Sequence, residues 1–195
     1  MSRGVEEARL EAADSGAVPV TDGWFVVNVR DAAWVSNGVF GHRCSFEGDT
    51  PALRGRPELE GYTFPQVGFT LAVLEPGRPS GMYHAESNQE VFLVLSGECL
   101  AIIEGEERRL QAWDFFHCPP GAEHVFVGAG DGPCVIFMTG ARGSDKEIVY
   151  ARSETALRHG AGVETETSSA AEAYAPFPDW QPKRPESWDG LPWDS

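Results

Sequence analysis

"GMYHAESNQEVFLVLSGE", residues 81–98, places His84, Glu86 and Glu90 within seven positions, just ahead of a solidly apolar run. The run has the look of a buried strand, where ionisable groups are costly unless they meet solvent or share a partner. Residues two apart on a strand share a face. If 80–86 is extended, Met82, His84 and Glu86 point the same way. By the same parity, Glu90 lies on the side of Phe92 and Val94.

The pattern around this stretch repeats. From Trp24 onward, "WFVVNV", "VGFTLAVLEPG", "CLAIIEG", "HVFVGAG" and "CVIFMTG" are short apolar runs rich in Val, Ile and Phe, separated by Gly, Pro, Asn and Asp. Strands of about 4–8 residues with regular turn signals predict an all-β sandwich or barrel. "IIEGEERRL" reads as a hairpin in which Gly105 supplies a positive φ. Residues 1–22 read as a polar arm, in which "VEEARLEAA" has the composition for two helical turns without marking a core element. Residues 23–152 form the β-barrel unit, and 153–195 hold helical turns and a tail. "SETALRHG" predicts a short helix with Ser153 as N-cap and Gly160 as stop, and "SSAAEAYA" another. The tail from Pro176 is rich in proline and carries Trp180, Trp188 and Trp193. It is either an extended solvated segment or an arm docked on the barrel or on a neighbouring subunit. The cost of exposing tryptophan favours docking.

Composition bounds the partners. The 195 residues suffice for one domain, with 42% hydrophobic and 23% charged residues. A net charge of −15 argues against nucleic acid or an anionic membrane as partner. No apolar stretch has the length of a membrane span, and the N-terminus lacks the apolar core of a signal peptide, so a cytoplasmic location is expected. Cys44, Cys99, Cys118 and Cys134 form no CxxC pair and read as reduced core residues.

Some thirty residues beyond the opening stretch comes "WDFFHCPPGAEHVFV", residues 113–127, in which a Pro-Pro-Gly turn leads to His124, with Phe126 on its face. With this second motif the chain resembles the cupin family. The family's first motif, G-x5-H-x-H-x3/4-E-x6-G, is met by Gly77, His84, Glu86, Glu90 and Gly97, with one extra residue after Gly77. Its second, G-x5-P-x-G-x2-H-x3-N, is met by Pro119, Gly121 and His124, while Trp113 and Gly128 stand at its ends. The resemblance implies a double-stranded β-helix, or jelly-roll, barrel. It also implies a metal held by His84, Glu90 and His124, with Glu86 in place of the family's second histidine.

The residues themselves favour an ion. Two carboxylates about 4 Å apart repel by about 4 kcal/mol at an effective dielectric of about 20. Burying them adds a desolvation cost, and a divalent cation offsets both. Two imidazoles with carboxylates suit Zn, Mn, Fe or Ni. Either Glu86 binds directly, or His84, Glu90 and His124 form a facial triad with Glu86 behind it. The competing assignment leaves the carboxylates at a wet barrel mouth, paired with arginines such as Arg78.

The inferred pocket is rimmed by Met82, Phe92 and Phe126 and floored by the metal. Such a site suits a small, partly apolar ligand, with Glu86 or His117 as candidate base. The alternation in "FFHCPP" leaves open whether Phe116 and Cys118 or Phe115 and His117 face inward. The expected function is a metal-dependent enzyme of oxygenase or isomerase type. The alternative is a non-catalytic cupin that binds or senses a small molecule. The resemblance also implies a homodimer formed by exchange of N-terminal strands, with residues 24–46 offering edges to cover.

Overall fold

Along β-branched and aromatic runs such as "VGFTLAVL" and "CVIFMTGA", every second side chain faces one side of a sheet, and these runs form the long strands of the protein. The structure is a computed structural model that describes residues 6–21, 23–47, 64, 66–142 and 147–194. In chain order the strands begin with β1 (Leu10–Ala13), β2 (Gly16–Pro19), β3 (Val35–Ser36), β4 (His42–Phe46) and β5 (Val67–Leu74). There follow β6 (Ala85–Glu86), β7 (Glu90–Ser96), β8 (Glu98–Ile103), β9 (Glu106–Gln111) and β10 (Phe115–Cys118). The last are β11 (His124–Ala129), β12 (Cys134–Ala141) and β13 (Ile148–Val149), then helices α1 (Glu154–Arg158) and α2 (Ala170–Tyr174), and finally β14 (Gln181–Pro182).

Seven strands, in the order β10-β7-β12-β5-β4-β3-β14, form the larger sheet, and β11-β8-β9 form a smaller one. The two face each other over a shared core, the jelly-roll arrangement expected from the sequence. Ala72, Phe92, Val94 and Ile136 of the large sheet pack there with Cys99, Ala101 and Phe126 of the small one. The ladders do not close into one continuous barrel. Instead, single bridges at Pro79–Val127 and His84–His124 tie the chain entering β6 to the small sheet.

Parts of both outer faces are covered too, which is why strands such as β5 and β12 read as nearly unbroken apolar runs, whereas β9, EERRLQ, lies exposed. Over the large sheet, Trp34, Phe46, Leu71, Val73 and Val135 pack with Leu191, Trp188 and Trp193 of the tail. Trp34 is fully buried, its ring 5.8 Å from each of Trp188 and Trp193. Over the small sheet, Ile102, Val125 and Val127 pack against Tyr83, Ala156 and Ala161. The tail is therefore docked on the large sheet of its own chain, and β14 pairs with β3 at Gln181–Ser36 and Pro182–Val35.

Local signals set several elements. Ser153 accepts a hydrogen bond from the Ala156 N–H and opens α1, and Gly160 ends it at φ 68°. Gly105 has φ 77° in the β8–β9 turn. Gly128 has a packing reason: a Cβ there would lie 2.2 Å from the Glu75 carbonyl oxygen. The arm is the exception. Leu10–Ala13 pairs with Gly16–Pro19 as a hairpin, not as helical turns. A stretch this short cannot nucleate a helix alone. The Ala17 N–H donates to Asp31, the Ala33 N–H donates to Ala17, and Val18 is buried beneath. All four cysteines are buried and free.

Candidate metal centre

His84 and His124 face each other across the single bridge that joins β6's approach to the start of β11. The His84 N–H donates to the His124 carbonyl at 3.1 Å, and the His124 N–H returns the bond at 2.8 Å. This pairing sets the two rings 4.9 Å apart, centroid to centroid. Glu90 enters from the other sheet, at the first residue of β7. Opposite it on β12 is Gly140, where a Cβ would stand only 3.2 Å from the Glu90 Cγ. That position leaves room for the carboxylate.

Each imidazole is held in one tautomer by a carbonyl two residues upstream. His84 Nδ1 lies 2.7 Å from the Met82 oxygen, and His124 Nδ1 lies 3.1 Å from the Ala122 oxygen. With Nδ1–H donating to these carbonyls, both Nε2 lone pairs turn toward the cavity, the usual way a protein orients a metal-binding histidine. One donor atom from each of His84, Glu90 and His124 lies within 4.8 Å of the others. The His124 Nε2–Glu90 Oε2 distance is 3.5 Å. Two metal–ligand bonds of about 2.1 Å at a tetrahedral angle span about 3.4 Å, so the donor set fits a divalent ion.

Electrostatics agree. Burial first, and then the neighbouring His84, lower the His124 pKa to about 4, which keeps the ring neutral and able to donate its lone pair at ordinary pH. Cys118 packs its sulfur 3.4 Å from His124 Nδ1, on the side away from Nε2. Burial, with Glu90 and Glu86 nearby, pushes that thiol up to about 12, so it stays protonated.

Glu86 is buried, with Oε1 3.7 Å from His84 Nε2, and it borders the cavity without joining the three-residue cluster. Arg78 is not its partner: that side chain donates to the Gly38 and Val39 carbonyls. Phe92 and Phe126 line the cavity. Met82 does not. It packs with Phe40, Tyr150 and Val163 and lines a separate cavity beside residues 162–177. The reason is that the chain before β6 is not a regular strand, so alternation does not carry back from His84 to Met82. On β10, Phe116 and Cys118 face the core, while His117 is exposed and is not among the residues lining the cavity.

The cavity holds about 320 Å³. Beyond the expected residues, its walls include Arg43, Arg142, Tyr150, Tyr174 and Trp180. Tyr150 is held above its usual pKa range by burial, then by Tyr174 and Glu86, and so remains a donor. Of these residues, Arg43 lies within β4, HRCSF, whose mixed composition does not mark it as a cavity residue. The tyrosines come from the C-terminal region and carried no signal, while Trp180 was marked only as a residue apt to dock, with no indication of where.

Residues 70–140 match the family profile described as "Cupin domain". Among solved structures, a candidate sugar phosphate isomerase from Acidithiobacillus ferrooxidans is 24% identical, with a TM-score of 0.44. That match covers 55% of this chain, which spans 64% of the other protein's length. A sugar phosphate isomerase of the cupin superfamily from Silicibacter pomeroyi is 21% identical at a TM-score of 0.43, over 56% of this chain and 79% of that one. A cupin protein from Bacteroides fragilis is 19% identical at 0.41, over 53% and 78%. Likenesses this distant do not bear on what the chain acts on. No curated protein matches it.

Proposed function

We propose that this chain, a cupin by its domain at residues 70–140, is a metal-dependent enzyme acting on a small molecule, of oxygenase or isomerase type. The observation that carries the reading is the paired orientation of His84 and His124. Two separate backbone carbonyls turn both Nε2 atoms toward Glu90 in one cavity. A bound divalent ion would supply Lewis acidity or a dioxygen site, with positions left open by a three-residue ligand set. Around it the chain's own residues divide the work. Glu86 borders the cavity and is placed to accept a proton, while the Tyr150 hydroxyl is placed to donate one. Phe92, Phe126 and Met138 exclude water from one side.

Metal analysis by mass spectrometry, on protein purified without a histidine tag, tests the reading. We expect close to one divalent ion per chain, lost in His124→Ala and in Glu90→Gln. Glu86→Gln separates the two arrangements: retained metal with loss of turnover puts Glu86 beside the ligand set, and lost metal puts it inside. Wild-type protein that remains metal-free after reconstitution with Zn, Mn, Fe and Ni would overturn the proposal. Ligand binding without any turnover would instead favour a sensor or carrier.

The proposal extends to a cytoplasmic homodimer. Among the described residues, no helix is long and apolar enough to cross a membrane. The edge at β3 that the sequence offered for exchange is paired by β14 of the same chain. Trp113 and Phe115 remain exposed, Phe115 on β10 at the opposite sheet edge, and they support a contact there. Gel filtration with light scattering reads the outcome.

A further inference from the structure

Among the described residues, two guanidinium groups enter the candidate metal-site cavity, and they differ in how they are satisfied. Arg142 is neutralised by Glu47, with Nη2 2.9 Å from Oε2. Arg43 donates through Nη2 to the Ser80 carbonyl and lies 4.3 Å over the ring of Trp180. Among the described residues, no carboxylate lies within ion-pair distance of it. Its place is set by the backbone, since it pairs with Ala72 of β5 on one side and Val35 of β3 on the other. Gly81 leaves the space: a Cβ there would stand 3.1 Å from Arg43 Nη2 and 2.8 Å from the Tyr174 hydroxyl. A planar cation fixed this way, in a partly buried wall, is a preorganised partner for a carboxylate.

The charge balance of the cavity points the same way. Glu86 and Glu90 stand where they would together offset a divalent ion, and the Arg142–Glu47 pair cancels itself. Among the described residues lining the cavity, what remains is the positive charge of Arg43. The rest of the lining is apolar on one side, with Phe92, Phe126, Met138 and Ile148.

We infer that Arg43 is the anion-binding residue of this cavity, and that the ligand is a small monocarboxylate with an apolar body. The carboxylate meets Arg43, and the body lies along the apolar wall toward the metal ligands. The inference rests on the metal-dependent reading above and names its substrate class. A dianionic phosphate is disfavoured, because the second guanidinium is already paired.

The test uses the full chain loaded with metal and matched probes: benzoate with benzamide, hexanoate with hexanamide, and phenyl phosphate. Affinities are read by titration calorimetry. We expect each carboxylate to bind about tenfold more tightly than its amide, the worth of one charge-assisted contact. In Arg43→Gln the preference should fall to about twofold or less, with metal content unchanged. Arg43→Lys keeps the charge but not the planar fork, so it should narrow the preference without abolishing it; it also serves if Arg43→Gln does not fold. Equal affinity for acid and amide, binding of neither, a preference that survives in Arg43→Gln, or tighter phenyl phosphate would each overturn the inference. Metal present in the wild type alongside any of these outcomes sinks this inference alone. Metal absent from the wild type sinks the reading beneath it.

Discussion

His124 sets burial against ionisation. Its pKa is lowered to about 4 in the folded chain, by burial first and His84 second, from an ordinary value of 6.5. As pH falls, the unfolded chain therefore takes up this proton before the folded one does. The stability linked to it is intact above about pH 6.5 and is lost progressively toward pH 4, on the order of 3 kcal/mol in all. Chelator-treated protein should show its urea midpoint falling across that window, with a shallower fall in His124→Gln. A flat profile would contradict the burial of an uncharged imidazole. His84, Glu90 and His124, the proposed ligands, could be picked out as a group by motif spacing, because residues at or beside strand ends leave their intervals in the chain. Met82 and His117 could not be placed. One precedes the point where regular pleating begins, and the other sits in an alternation with two self-consistent phases.

Turns and caps are the elements most open to reading, because their requirements are met within a few residues. Ser153 with Gly160, and Gly105 in its hairpin, behave as their types demand. The turn into β10 is the opposite case. Trp113 stands where the family pattern has glycine, and it holds φ at 74° with its side chain 75% exposed. A left-handed conformation costs a residue with a Cβ about 1–2 kcal/mol, while glycine gives back about 0.5–1 kcal/mol through its freer unfolded state. Trp113→Gly should thus raise stability by about 0.5–1 kcal/mol. Equilibrium urea unfolding decides it, and a destabilised variant would show that the indole makes a contact worth more than the strain. The β1–β2 hairpin lay beyond local signals, since its strands are specified by Ala32, Ala33 and Trp34, far along the chain.

At the scale of the whole molecule, the C-terminal region belongs to both the core and the site. Trp188, Leu191 and Trp193 cover Trp34, β14 closes the edge at β3, and Trp180 walls the cavity beside Arg43. Burying large apolar side chains contributes roughly 1.5–3 kcal/mol each, so truncation after Ala175 should lower stability by several kcal/mol. It should also leave an open strand edge, with a tendency to associate. Unchanged melting and elution of the truncated chain would remove the tail from this account. From the sequence alone came the all-β class, the proposal of His84, Glu90 and His124 as a ligand set, and the capped helices. Each is written in spacing, alternation or a single cap, which act over short stretches of chain. Only the tertiary structure decided that Arg43, Tyr150, Tyr174 and Trp180 share the cavity of His84, Glu90 and His124, and that the tail covers the large sheet of its own chain. Those neighbours come from distant segments, and what joins them is the burial of apolar surface, which favours contact without naming the partner.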